Sequence, residues 1–288
     1  MRVKKNYKNI LYVHIDSLEY EFKVQEDLRE FIGGTPVSYK LMNDYLDQKP
    51  VIISTGPLAG YFPYVSKANL LYLSGTTLVE KYGGGTIAAN LNMSSIDAIV
   101  ILGTTDKNIH ISIYENEITF LEEKFEEFST RIADLVIKKD SAESQNYFTF
   151  GNISEFPIPI NGNISISVES TVSYDLKDFF DYEKAYKTAI DMYEKLKVEP
   201  ANNPSCVGCP MGCEKSSEGE DGENVAVLPR CLIACAYAED IYKKIPFVYS
   251  CLTSVGYEYK HDDLEEISDK FGNIKKILNQ NIAKIEYT

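Results

Sequence analysis

The feature that most constrains this chain is a run of three cysteines within eight residues, Cys206-Val-Gly-Cys209-Pro-Met-Gly-Cys213. This spacing lets three sulfur atoms converge from one loop onto one centre, and Gly208 and Gly212 relax the backbone between them. Packing alone does not require such a pattern, whereas iron–sulfur clusters are held by thiolates presented in short runs of this kind. The loop therefore predicts a metal centre.

Three other interpretations of the loop remain open. C-x₂-C also begins many tetrahedral zinc sites. Cys206 and Cys209 could form a redox disulfide, and all three thiols could be unliganded structural residues. The cluster is favoured over zinc because a second C-x₂-C or H-x₃₋₅-H half-site is missing, and the only downstream histidine is His261.

A cubane [4Fe–4S] cluster needs four thiolates, and the loop provides three. Cys231, Cys235 and Cys251 are the candidates for the fourth ligand. The sequence around Cys231 and Cys235 predicts a helix, which would place both on one face. We take Cys231 as the fourth ligand, and expect Lys215 with nearby backbone amides to ease deprotonation of the thiols.

The charge and hydropathy of the chain exclude several functions. Its 43 acidic and 29 basic residues give a formal charge of −14, with no basic stripe, so a nucleic-acid partner is not expected. No apolar segment follows the first residues and no apolar run approaches a membrane span, which predicts a cytoplasmic location without membrane association. In that compartment, clustered cysteines indicate metal chemistry more than disulfides.

Hydrophobic periodicity predicts an α+β chain of 288 residues in two domains. β-Branched runs dominate residues 1–175, interrupted by predicted helices at 25–32 and 122–138. Residues 176–288 read as helices around the cysteine loop. The acidic stretch at 218–223 is expected to be a solvated loop.

Three glycine-bearing stretches are explained singly by local structure. Gly33 can cap the C-terminus of a preceding helix, and Ser54-Thr-Gly56-Pro57 can be a tight turn. The stretch 83–85 leads into a helix whose amides could receive an anion, although it is not a nucleotide P-loop. The three histidines form no Ser-His-Asp or Cys-His constellation, so no catalytic residue is assigned.

Taken in order with the cysteine loop, these stretches resemble the aldehyde ferredoxin oxidoreductases, the tungsten-pterin enzymes of anaerobes. The likeness is carried by five segments: Phe31-Ile-Gly-Gly, Val51-Ile-Ile-Ser-Thr-Gly-Pro-Leu-Ala-Gly60, Ala68-Asn69-Leu-Leu, Gly84-Gly85 with Ile96-Asp97-Ala-Ile-Val-Ile-Leu-Gly103, and Pro204-Ser-Cys206-Val-Gly-Cys209-Pro-Met-Gly-Cys213. The resemblance implies a β-rich N-terminal domain at 1–175 with two sheets related by a pseudo-twofold axis. A helical domain at 176–288 would then bear the cluster.

The resemblance also implies a tungsten- or molybdenum-pterin, with Lys67, Asn69, Gly84 and Gly85 as contacts. The chain departs from the family pattern, however. Lys67 and Tyr82 stand for an arginine and an asparagine that help hold the pterin phosphates and magnesium. The family's R-G-G-V-G-A segment has no counterpart, its D-x-x-G-L-D motif is reduced to a segment ending in Glu258, and the sequence ends where a third domain would begin.

We therefore expect an iron–sulfur oxidoreductase-type protein, similar to enzymes that oxidise aldehydes to carboxylates and pass electrons to ferredoxin, with pterin binding lost or dependent on a partner. The alternatives are a non-catalytic iron–sulfur electron-transfer or scaffolding subunit, and a structural zinc protein. The implied partners are a ferredoxin-like electron carrier or redox subunit and a second copy of the chain.

Overall fold

A computed structural model describes residues 6–115, 117–123, 134–170, 176–192 and 199–286. Within these ranges the chain forms thirteen β-strands and eight α-helices. The predicted α+β class, with a β-rich N-terminal part followed by a helical part that bears the cysteines, is confirmed. No helix in the described part of the chain is both long and apolar enough to cross a membrane.

The strands form two mixed sheets. The first sheet contains Lys8–His14 (β1), Glu19–Gln25 (β2), Val51–Thr55 (β3), Ala68–Ser74 (β4), Thr77–Gly83 (β5), Ala98–Leu102 (β6) and Glu220–Asp221 (β13). The second contains Asn108–Tyr114 (β7), Glu117–Glu123 (β8), Leu135–Lys138 (β9), Ser141–Ser144 (β10), Phe148–Thr149 (β11) and Ile164–Glu169 (β12).

The two sheets repeat one topology. The first has the order β13-β5-β4-β3-β6-β1-β2, and the second has the order β11-β10-β9-β12-β7-β8. In each sheet a hairpin, β1–β2 or β7–β8, is joined by a parallel pair, β1–β6 or β7–β12, to an antiparallel remainder. Six strands of each sheet thus correspond one to one, which agrees with the related pair of sheets that the resemblance implies.

Helices follow the strands or interrupt them. They are Gly34–Asp44 (α1), Ile87–Met93 (α2), Phe179–Asp191 (α3), Val227–Leu232 (α4), Glu239–Tyr242 (α5), Ile245–Ser254 (α6), His261–Glu265 (α7) and Ile267–Glu286 (α8). The side chain of Asp178 caps α3 by accepting a hydrogen bond from the Asp181 amide, which satisfies one of the free amides of the first turn.

The first sheet is the central layer of the molecule. Successive side chains of a strand point to opposite faces, and in β1 Leu11 and Val13 enter a core shared with the second sheet and α2. Ile10 and Tyr12 enter a second core on the other face, which is built with the helices. That second core joins residues before and after 175, so the two predicted domains share it.

In the N-terminal part, the helix predicted at 25–32 is wrong, and the one predicted at 122–138 lies mostly outside the described residues. Gln25 ends β2, only a short 3₁₀ turn forms at Asp27–Glu30, and Gly33 precedes α1 instead of ending a helix. The helix predicted at 122–138 begins inside β8 and ends in β9, while residues 124–133 lie outside the described part. The β-branched pair Val136 and Ile137 fits a pleated strand as well as a helix face, so apolar spacing alone could not decide.

Candidate metal centre

Four thiols line one cavity. Cys206, Cys209 and Cys213 come from the cysteine loop and Cys235 from the segment after α4, and the cavity has an empty volume of ≈ 360 Å³, part of it open to solvent. All four cysteines are partly exposed. In the described ranges, no three His, Cys, Asp or Glu side chains are arranged around a single metal ion. The three loop thiols nevertheless line this cavity together, and their convergence on one metal centre stays a prediction.

The glycines of the loop are needed for its shape. Gly208 and Gly212 have φ angles of +73° and +50°, a region that side chains rarely adopt. A Cβ on Gly212 would also lie 2.5 Å from the carbonyl oxygen of Ala201. The Cys209 amide donates to the carbonyl of Cys206 at 2.9 Å, which closes the first turn of the loop.

Gly84 and Gly85 pack against the first cysteine of the loop. A Cβ on Gly84 would lie 2.5 Å from the Cys206 sulfur, so only glycine permits this approach. The backbone amide of Gly85 hydrogen-bonds the same sulfur. These glycines, which the resemblance named as pterin contacts, therefore contact a candidate cluster ligand.

Other backbone amides also point at the thiols. Those of Met211 and Tyr237 hydrogen-bond the sulfurs of Cys209 and Cys235, and each bond lowers the pKa of its thiol. Lys215 lines the cavity, but its side chain is 41% exposed and pairs with Glu218 at 2.5 Å. The buried cation at the site is Lys67, whereas the sequence analysis predicts Lys215 as the lysine that acts on the thiols.

Lys67 and Glu220 form a buried ion pair beside the thiols. Their charged atoms lie 3.0 Å apart, and the side chains are only 4% and 10% exposed. The Cys235 thiol donates to the carboxylate of Glu220 at 3.2 Å. Glu220 comes from β13, which pairs antiparallel with β5, so the first sheet fixes its position.

Burial disfavours the ionised form of three of the cavity thiols. It raises the pKa of Cys206, that of Cys209 to about 11, and that of Cys235 well above its ordinary value. Burial alone would lower the pKa of Lys67, but Glu220 and the thiols of Cys235 and Cys206 raise it. Without a ligand these three thiols therefore stay protonated at neutral pH, and a metal must displace their protons.

Cys231 and Cys251 lie away from the cavity. Both are buried in the core beneath the helices, the Cys231 thiol donates to the carbonyl of Val227 at 3.3 Å, and burial raises its pKa to about 12. The predicted shared helix face does not form, because α4 ends at Leu232 and Ile233 turns left-handed with φ +50°. The geometry thus favours Cys235 over Cys231 as the fourth thiol.

The remaining positions assigned to a pterin by resemblance are occupied by internal contacts. Asn69 is fully buried and its amide donates to the hydroxyl of Ser38 at 3.1 Å. The Tyr82 hydroxyl, also fully buried, lies 2.6 Å from that of Thr35. Glu258, by contrast, is exposed.

A second buried ion pair lies between the first sheet and the helices. Arg230 of α4 pairs with Glu80 of β5, and the side chains are 5% and 0% exposed. Tyr39 of α1 donates to the same carboxylate at 3.0 Å, and the guanidinium lies 4.6 Å from the ring centre of Phe271 in α8. This network ties four elements together and was not predicted from the sequence.

The turns at Gly34 and Gly56 pack against the backbone of α4. A Cβ on Gly34 would lie 2.6 Å from the carbonyl oxygen of Arg230, and one on Gly56 would lie 2.1 Å from that of Leu232. Both turns therefore require glycine because α4 packs on them. The backbone of α4 fills the space that they border.

Sequence reasoning missed Glu220 and understated Cys235. The stretch 218–223 reads as a solvated acidic loop, since nothing in its spacing distinguishes the one glutamate that is buried. Cys235 was named only beside Cys231, because an apolar run such as Cys-Leu-Ile-Ala-Cys continues a helical pattern and carries no sign of the turn at Ile233.

The chain is similar to known proteins in sequence and in fold. The sequence model described as aldehyde ferredoxin oxidoreductase, N-terminal domain, matches residues 10–155, just over half of the chain. Among solved structures, the fold is similar to that of the active site complex BamBC of benzoyl coenzyme A reductase in complex with 1,5-dienoyl-CoA, with a TM-score of 0.57 at 11% sequence identity. The match covers 97% of this chain and 63% of that chain.

Proposed function

This chain belongs to the aldehyde ferredoxin oxidoreductase family, and from that premise we propose that it is an iron–sulfur subunit that transfers electrons within an oxidoreductase assembly. The observation that carries the proposal is the set of thiols of Cys206, Cys209 and Cys213 facing one cavity. A [4Fe–4S] cluster bound there supplies one-electron transfer.

The residues around the cavity fit a cluster. The soft sulfur donors are those that iron–sulfur clusters use. Amides of Gly85, Met211 and Tyr237 already donate to the sulfurs, and such hydrogen bonds are among the contacts that tune a cluster. The buried ammonium of Lys67 offsets negative charge that thiolates would bring into a poorly solvated site.

The residues do not fit a pterin in the same way. Lys67 is paired with Glu220, Tyr82 is bonded to Thr35, and Gly84 abuts the Cys206 sulfur. A pterin phosphate needs free donors and positive charge, and these groups are already engaged with the protein itself. The geometry therefore favours the non-catalytic, electron-transfer alternative for the isolated chain.

Aldehyde oxidation to a carboxylate, with electrons passing to ferredoxin, is the second candidate function. It is favoured by the family match over residues 10–155, a stretch that includes Lys67, Asn69, Gly84 and Gly85. In that case a tungsten- or molybdenum-pterin would be held with a partner, since the described contacts of these residues leave few donors for it. The structural zinc alternative rests only on the C-x₂-C spacing.

Metal analysis of the protein purified without oxygen tests the proposal. We expect about four iron and four sulfide per chain, with the broad visible absorption of a [4Fe–4S] cluster. Tungsten, molybdenum and pterin should be absent. Cys209→Ser should lose the cluster, whereas Cys251→Ser, which removes a buried thiol that does not line the cavity, should keep it.

Each contrary result selects another function. Stoichiometric zinc without iron would replace the cluster by a structural zinc site. A full complement of pterin and tungsten in the isolated chain would establish the aldehyde-oxidising alternative. A cluster that survives Cys209→Ser would place the metal elsewhere.

The expected partners follow from charge and from the family. The formal charge of −14 favours a partner with a basic docking face, such as a redox subunit or an electron carrier of the ferredoxin type with such a face. A second copy of the chain is the other candidate. The structurally similar protein is itself part of a complex, which is consistent with a chain that works within an assembly.

A further inference from the structure

We propose that Cys235 is the fourth thiolate of the cluster site, so that the chain completes the ligand set from its own segment after α4. The inference rests on the proposed function, because it assigns a ligand to the same cluster. The sequence pattern alone favoured Cys231. The proposal follows from where the backbone places these two sulfurs.

The first argument is position. Cys235 lines the cavity together with Cys206, Cys209 and Cys213, and the part of the chain that lines it comes from three separate segments. Cys231 is fully buried and belongs to the core beneath the helices. A ligand must reach the cavity that would hold the metal, and of these two cysteines only Cys235 lines it.

The second argument is backbone strain. Ile233 adopts φ +50° although it is β-branched and fully buried, a conformation that is strained for such a residue. This residue ends α4 and redirects the chain, so that Cys235 leaves the helix and reaches the cavity. Strained residues persist where the surrounding structure requires them, and here the consequence of the strain is the placement of one thiol.

The third argument is anchoring. The Cys235 amide donates to the carbonyl of Tyr64 at 2.9 Å, and Tyr64 itself has φ +67° and lines the cavity. The Cys235 thiol donates to Glu220, which is held by Lys67. The backbone of Cys235 is thus fixed before any metal binds, which is what a ligand position requires. The hydrogen bond from its thiol to Glu220 is given up when the proton leaves.

Binding would break the S–H bond of Cys235 and form an Fe–S bond from the sulfur lone pair. The proton would leave to solvent through the open side of the cavity. The oxidation state of the sulfur does not change, and no further reactant is needed.

The test compares Cys235→Ala with Cys231→Ala after anaerobic reconstitution with iron and sulfide. We expect Cys235→Ala to fall from about four to about three iron per chain, with the paramagnetic signal of an oxidised three-iron cluster, or to lose the cluster. Cys231→Ala should keep the wild-type iron content and spectrum. The reverse pattern would overturn the inference while leaving the proposed function intact, whereas wild-type protein without iron would refute the proposed function itself.

A second measurement needs no variant and therefore covers the case in which either substitution prevents folding. Wild-type protein is alkylated with and without the cluster, and the modified cysteines are identified by mass spectrometry. Cys235 should be modified without the cluster and protected with it, as Cys206, Cys209 and Cys213 are. Equal modification of Cys235 in both forms, with the three loop cysteines protected, would contradict its role as a ligand.

Discussion

Lys67 and Glu220 bring one positive and one negative charge next to the cavity thiols. Their side chains are 4% and 10% exposed, so solvent screens them little. A cluster gains negative charge when it is reduced, and nearby charge is one of the factors that set its potential. At the scale of single residues, this ion pair is therefore the part of the site with the clearest electrostatic consequence.

We predict that Lys67→Met lowers the reduction potential of the reconstituted cluster and that Glu220→Gln raises it, each by on the order of tens of millivolts. The double variant should return close to the wild-type value, because both charges of the pair are then removed. A redox titration followed by visible or paramagnetic spectra measures the three potentials. Shifts of both single variants in the same direction would contradict this electrostatic role.

The cysteines of the site could be predicted from the sequence more readily than its charged residues could. The loop thiols could be predicted because three cysteines in eight residues have few other uses. The burial of Glu220 could not be predicted, since the sequence alone does not distinguish a buried glutamate from a solvated one. The pairing of β13 with β5 is what positions Glu220 at the site. Lys67 was identified, but as a phosphate contact instead of the partner of Glu220.

At the scale of elements, α4 is the piece that joins the metal site to the first sheet. Carbonyl groups of α4 pack against Gly34 and Gly56, and its Arg230 pairs with Glu80 of β5. The turn at its C-terminus places Cys235 at the cavity. A change beneath α4 should therefore affect both stability and the cluster.

We predict that Gly56→Ala destabilises the protein by about 1–3 kcal/mol, because its Cβ would lie 2.1 Å from the carbonyl oxygen of Leu232 and force α4 to shift. Cluster occupancy after reconstitution should fall with it. Urea denaturation and iron content measure the two effects.

Gly272→Ala in α8 is the matched control, since nothing lies within 4 Å of the added Cβ. There the substitution should raise the free energy of unfolding by about 0.5–1 kcal/mol, because alanine is the better helix former. If Gly56→Ala were as harmless as Gly272→Ala, α4 would not be packed on the glycine turn as described.

Element types were predicted well where periodicity was unambiguous and poorly where it was not. The β-branched runs through Ile53, Ile99 and Ile111 form strands, and α3 lies in the part predicted to be helical. The turn after α4 could not be predicted, since isoleucine is among the residues least suited to a left-handed conformation. Tertiary packing of Ile233 beside Tyr82 and Val225 overrides that local preference.

At the scale of the whole molecule, the first sheet has a core on each face. One core lies toward the second sheet and α2, and the other lies toward the helices. The two parts predicted on either side of 175 share the second core, which contains Ile10 and Tyr12 from the first part and Leu252 and Leu278 from the second. The helical part even adds β13 to the edge of the first sheet.

We therefore predict that a fragment of residues 1–175 does not fold by itself into the native sheets, although the family match lies wholly within it. Removing 176–288 uncovers the apolar face of the first sheet at Ile10, Tyr12 and the buried side of α1, and large exposed apolar surfaces promote aggregation. The fragment should bind a hydrophobic dye and lack a cooperative thermal transition, while the full chain should unfold in a single transition. A fragment with a sharp transition and no dye binding would mean that the second sheet and the core between the sheets suffice, and that 1–175 is an independent folding unit.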